Sequence, residues 1–121
     1  MRDGIATEID ARPPTSAASA DLPSLLKDAI DAYKDGRGDD AERLARQILA
    51  HQPDHVAGLQ IMAAIAGQTD RLPFALRIAQ KAVLLGPNLA PVHIQLANLL
   101  RQDGNFAGAA GELNVALRLQ P

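Results

Sequence analysis

Prolines stand at Pro53, Pro87 and Pro121, a constant interval of 34 residues. Each follows the same local pattern, an apolar helical stripe and then a stop: "RQILAHQPDH", "QKAVLLGPNL" and "LNVALRLQP". Other positions keep the same period. Alanine falls at Ala41, Ala75 and Ala109, and again at Ala29, Ala63 and Ala97. Ile48, Ala82 and Ala116 form a further column, as do Leu49, Val83 and Leu117. Gly36, Asp70 and Gly104 form the column of turn formers that divides each unit in two. One proline interval could recur by chance; five more columns recurring with it could not. A unit of this length is a helix–turn–helix that cannot bury its apolar faces alone, so successive units must stack.

Composition agrees with stacked helices. The chain has 121 residues and is 47% hydrophobic but only 2% aromatic, so its apolar content is Ala, Leu, Ile and Val. That mixture suits close helix–helix contact better than a sheet. A net charge of −2 gives no strong pull toward nucleic acid or an anionic membrane, and neither is expected as a partner. With no cysteine, disulfides, thiol catalysis and thiolate metal sites are excluded. "MRDGIATEIDARPPTSAASA" carries neither an apolar leader core nor a helical period. Residues 1–20 are therefore expected to be a disordered tail. No stretch offers the roughly 18 apolar residues of a membrane span, and a cytoplasmic location is expected.

The period places helices near 22–35, 39–51, 55–68, 72–85, 89–102 and 106–119, with no strand. The repeats run 22–55, 56–89 and 90–121, after a boundary at residue 21. Asp21 is expected to cap the first helix and Asp70 the fourth, with Pro23 and Pro73 in their first turns. The small columns mark where helix axes approach most closely, with Leu and Ile filling the flanks. The proline after each second helix turns the chain toward the next unit.

This period and column order resemble the tetratricopeptide repeat over residues 22–121. The expected fold is all-α, a right-handed α-solenoid of three helix–turn–helix hairpins and six helices. The chain departs from the family at the usual early tryptophan, which is Leu25, Leu59 and His93 here. Asp28 replaces a leucine in the first unit, and the late aromatic position holds Ala45, Ala79 and Leu113. The resemblance implies a concave groove lined by the first helix of each hairpin, where an extended peptide lies. Carried over residue by residue, that groove presents Leu26, Ile30 and Tyr33, then Gln60, Ala64 and Gln68, then Ile94, Asn98 and Arg101. Asn98 matches a frequent groove asparagine whose amide can hold a peptide backbone. The basic cluster that grips a terminal carboxylate in chaperone-binding members is absent: Leu26, Ile30 and Ile61 stand in its places. "AIDAYKDGRGDDAERLARQILAHQPDH" further resembles the opening repeat of bacterial arrays placed before sulfotransferase or protein glycosyltransferase domains.

No catalytic constellation is legible, and no cofactor or metal is expected. Pro53 breaks the helix between His51 and His55, so their four-residue spacing is not a metal pair, and both read as solvated loop histidines. His93 lies in a core column and reads as a buried or groove-edge histidine. "DGRGDD" lacks the residues that complete a phosphate or calcium loop, and Asp39 and Asp40 are expected to favour a helix N-terminus. "GNFAGAAG" sits where the repeat needs a turn and tight helix contact. The expected function is a non-catalytic module that binds a peptide or partner protein. The alternative is an accessory, substrate-presenting region of a transferase whose catalytic domain lies beyond residue 121. Arrays of this family end on an extra polar-faced helix, which is missing after Pro121. The chain is therefore expected to be part of a longer array, or to have its outer residues Phe106, Leu113 and Leu117 covered by another chain, as in a homodimer.

Overall fold

The computed structural model describes residues 21–120, so the tail expected over 1–20 and the stop at Pro121 lie outside the described residues. Among those described are six helices and no strand: α1 (Leu22–Lys34), α2 (Gly38–His51), α3 (Val56–Gln68), α4 (Leu72–Leu85), α5 (Ala90–Gln102) and α6 (Phe106–Leu119). Prolines begin three of them, at Pro23, Pro73 and Pro91, where a missing N–H costs no helical bond. The helices pair as hairpins α1–α2, α3–α4 and α5–α6, and each hairpin packs its second helix on the first helix of the next. The first helices also touch along the stack, α1 on α3 and α3 on α5, without matching contact among the second helices. That imbalance curves the stack and sets α1, α3 and α5 on its inner side. The fold is an all-α solenoid of helical hairpins.

The turn column explains how each hairpin folds back. Gly36 and Gly104 have φ of +79° and +83°, in the left-handed region. Around each, the helix end closes with a paired motif. Arg37 N–H donates to Ala32 O and Gly36 N–H to Tyr33 O, while Asn105 N–H donates to Leu100 O and Gly104 N–H to Arg101 O. In the middle hairpin the same place is taken by Asp70, with φ +66° and Arg71 N–H bound to Ala66 O. Asp70 therefore terminates α3 and does not cap α4; Arg71 stands at the start of α4. The following residue, not the left-handed one, begins the next helix in all three hairpins.

One other capping expectation changes, and so does the reading of a histidine. Asp21 occupies the N-cap of α1 but accepts from Ser24 Oγ (2.7 Å) rather than from a backbone N–H. His55 is not a free loop histidine: it caps α3, its Nδ1 accepting from Gly58 N–H at 3.0 Å. His51 is the exposed last residue of α2. Asp39 and Asp40 do lie in the first turn of α2, although neither side chain makes a capping bond. Of the glycines in "GNFAGAAG", Gly111 has open space around a would-be Cβ, so it marks no tight contact. Gly108 sits against the Asn105 side chain that caps α6.

The small columns form the core. Ala29, Ala63, Ala41, Ala75 and Ala82 are wholly buried, as are Ala45 and Ala79 where the next hairpin arrives. Ala63, Ala66, Ala75, Ala79, Leu96 and Leu99 make the main cluster, joining the second hairpin to the third. Ala32, Ala41 and Ile65 join the first to the second. The alanines set the separation, and each Leu or Ile that spans the gap supplies the buried apolar area.

Two polar clasps reinforce the stack. Glu42 on α2 accepts two hydrogen bonds from the Arg71 guanidinium (2.8 and 3.1 Å) and one from Arg46 (2.6 Å). Those bonds, Arg71's first, overcome partial burial and hold the Glu42 carboxyl down to about 2. In the third hairpin, buried His93 lies with Nδ1 2.7 Å from Glu112 Oε1 and Nε2 2.8 Å from Pro87 O.

The two ends of the stack differ. The column that packs on the preceding hairpin, Met62 and Ile65 or Leu96 and Leu99, is buried in α3 and α5 but reads Asp28 and Asp31 in α1. At the other end, Phe106, Leu113 and Leu117 of α6 are 68%, 43% and 62% exposed.

Candidate functional site: a groove along the first helices

Two adjoining hollows lie on the inner side of the stack. One, of about 260 Å³, is lined by Leu26, Ile30, Tyr33, Ala57, Gln60, Ile61 and Ala64. The other, of about 420 Å³, is lined by Tyr33, Ala64, Gly67, Gln68, Pro91, Ile94, Gln95, Asn98, Leu99 and Gln102. Tyr33 and Ala64 belong to both, so the hollows form one groove across α1, α3 and α5.

The helical period creates this surface. Leu26 and Ile30, Gln60 and Ala64, and Ile94 and Asn98 are each four apart, so each pair shares a helix face. The first unit's Asp28 does not displace this face: Leu26 and Ile30 stand in the same repeat columns as Gln60 and Ala64, and they line the groove together with Tyr33. Of the residues carried over from the family pattern, Arg101 alone lies outside both hollows. It is exposed and reaches Asn98 Oδ1 at 3.4 Å. Gln102, one residue on and in the same repeat column as Gln68, lines the groove instead.

Polar groups in the groove are amides and one phenol. Gln68 Nε2 donates to Tyr33 OH at 2.7 Å, joining α3 to α1. Gln95 Nε2 donates to Gln60 O at 2.6 Å, joining α5 to α3. That bond fixes which way the Gln95 amide points, and leaves its buried Oε1 with no hydrogen-bond partner. Gln95 is not among the residues carried over, although it stands in the repeat column of Ile61, which also lines the groove. At Gly67 a Cβ would come within 2.7 Å of Leu99 Cδ2, so an added methyl would push that side chain aside.

Nothing in the groove pairs a nucleophile with a base. Among the described residues no group of three or more His, Asp or Glu side chains could hold a metal, and no helix is long and apolar enough to cross a membrane. The arrangement can bind, by apolar contact and by amide hydrogen bonds.

Comparison with protein-family models and with curated proteins finds no match. Solved structures do match. A mutant O-GlcNAc transferase of Thermobaculum terrenum is similar over 89% of this chain, at 28% identity and a TM-score of 0.82. The chain spans only 21% of that transferase's length. The Yersinia enterocolitica type III secretion chaperone SycD, in complex with a peptide of the translocator YopD, is similar over 88% of this chain and 81% of its own. Its identity is 18% and its TM-score 0.76. The TPR2B domain of yeast Sti1, in a pHsp70 complex, is similar at 17% identity and a TM-score of 0.74, over 81% of this chain and 78% of its own.

Proposed function

We propose that this chain, which has the tetratricopeptide-repeat fold, is a non-catalytic interaction module that holds a peptide or a segment of a partner protein in its inner groove. The observation that carries this is the continuous groove across α1, α3 and α5, into which residues of all three hairpins converge. The complexes of SycD with a YopD peptide and of the Sti1 domain with pHsp70 support it by likeness of fold. Selection of a displayed random nonapeptide library on the chain, followed by amide chemical-shift mapping, tests it. Shifts should concentrate on α1, α3 and α5; ligands that perturb only α2, α4 and α6 would refute the groove.

A second reading is favoured by the transferase likeness: the hairpins are an accessory region presenting substrate to a glycosyltransferase or sulfotransferase. The gene sequence adjoining residue 121 decides between them. If a transferase follows, deleting residues 22–121 should abolish transfer to protein acceptors and spare small acceptors. The reading also includes a cytoplasmic, bacterial setting, no nucleic-acid or membrane partner, and pairing of two copies through α6.

A further inference from the structure

We infer that the occupant of the groove is an uncharged, aliphatic segment from the interior of a partner's sequence, bound extended. This rests on the groove reading above. None of the side chains lining the two hollows is charged. Charge is not scarce elsewhere: the cleft beside the first turn is lined by Asp28, Asp31, Arg37, Asp40 and Arg43. A ligand carboxylate or ammonium pressed onto the groove would lose its hydration and meet no opposite charge, so charged segments are rejected. A terminal carboxylate finds no cluster of cations to grip it: Arg101 lies outside both hollows and meets the groove only at its rim, 3.4 Å from Asn98 Oδ1.

The amides argue for an extended chain. Gln68, Gln95, Asn98 and Gln102 bring donors and acceptors into a wall otherwise made by Tyr33, Gly67 and Leu, Ile, Ala and Pro residues. A helical ligand satisfies its own backbone and would bury these amides against apolar side chains. An extended ligand brings unpaired N–H and C=O groups at every residue.

The test uses the full chain and fluorescence anisotropy with labelled nonapeptides. The reference probe alternates Leu and Ser and is capped at both ends. Three others place Glu or Lys at the two central Leu positions, or leave the C-terminus free. The reference should bind, the Glu and Lys peptides at least tenfold more weakly, and the free carboxylate should bring no gain. Ala64→Trp, which fills the junction of the hollows, and Ile94→Glu should each weaken the reference tenfold or more. Gln95→Met should weaken it several-fold without changing the order of the peptides. If a Glu, Lys or free-carboxylate peptide binds as well or better, and Ala64→Trp abolishes that binding, the groove stands and the uncharged specificity is overturned. If no peptide binds, or binding survives both Ala64→Trp and Ile94→Glu, the groove reading itself falls and this inference with it.

Discussion

His93 and Glu112 face each other at 2.7 Å across the third hairpin, while the other ring nitrogen of His93 meets the Pro87 carbonyl. A carbonyl can only accept, so Nε2 must carry a proton; beside a carboxylate, Nδ1 is best protonated as well. Burial alone would lower the His93 pKa, and is the largest single influence. The Glu112 hydrogen bond, the Pro87 carbonyl and the Glu112 charge together outweigh it and raise the pKa above 6.5. A folded-state pKa above the unfolded one gives stability that is complete below about 6.5 and is lost as pH rises through the folded value. Urea unfolding should therefore show stability falling as pH rises above about 6.5. Glu112→Gln should flatten that slope and bring the His93 titration, followed by its ring-proton shifts, to lower pH. An unchanged slope would mean that the clasp is not charged.

Asp70→Gly should stabilise the chain. Asp70 holds φ +66°, a region costing a side chain about 1–2 kcal/mol, and glycine returns part of this as unfolded-state entropy. The expected gain in a denaturant titration is up to about 1 kcal/mol. Gly36→Ala and Gly104→Ala should each lose about 1 kcal/mol although their Cβ would meet nothing, because the cost is in the backbone. A loss of stability in Asp70→Gly would show that the aspartate side chain matters more than its strain.

Ala75→Leu should cost about 1–3 kcal/mol, since the added atoms enter a fully buried contact between α3, α4 and α5. Ala50→Leu, on the exposed side of α2, should change the melting temperature little. Equal melting temperatures for the two variants would contradict the packing of the alanine columns.

The outer face of α6 predicts self-association. Phe106, Ala110, Leu113 and Leu117 recur at alternating spacings of four and three, and all are exposed. Two such faces meeting about a twofold axis bury each other's apolar surface, at about 25 cal/mol per Å². Sedimentation at increasing concentration should show a monomer–dimer equilibrium that Leu113→Glu with Leu117→Lys shifts to monomer. A wild-type chain that stays monomeric, with α6 as protected from hydrogen exchange as α3, would defeat this.

What the sequence made legible was what its period repeats. Helix ends fall within one residue of expectation because Pro53, Pro87, Gly36 and Gly104 are strong local stops. Asp70 misled because an aspartate before a helix is a common cap, and only its column, shared with two glycines, reveals a left-handed residue. The groove face followed from four-residue spacing, whereas Gln95 joined it through a bond to Gln60 on another helix. The Glu42–Arg71 and His93–Glu112 clasps are 29 and 19 residues apart and depend on which side chains meet across a turn. A helical period carries no record of that.

Among the described residues, every helix of this stack packs chiefly against neighbours close in sequence, and no extensive contact joins the first hairpin to the last. Contacts of such short range close small loops, so the chain should fold at the fast end of the range for its size, nucleating in any hairpin and spreading outward. The same linearity divides the cooperativity. Loosening α6 need not be felt at α1, and the groove can lose its third wall while the first two hold. Partial occupancy of the folded state is thus available here without global unfolding, which a knot of long-range contacts would forbid.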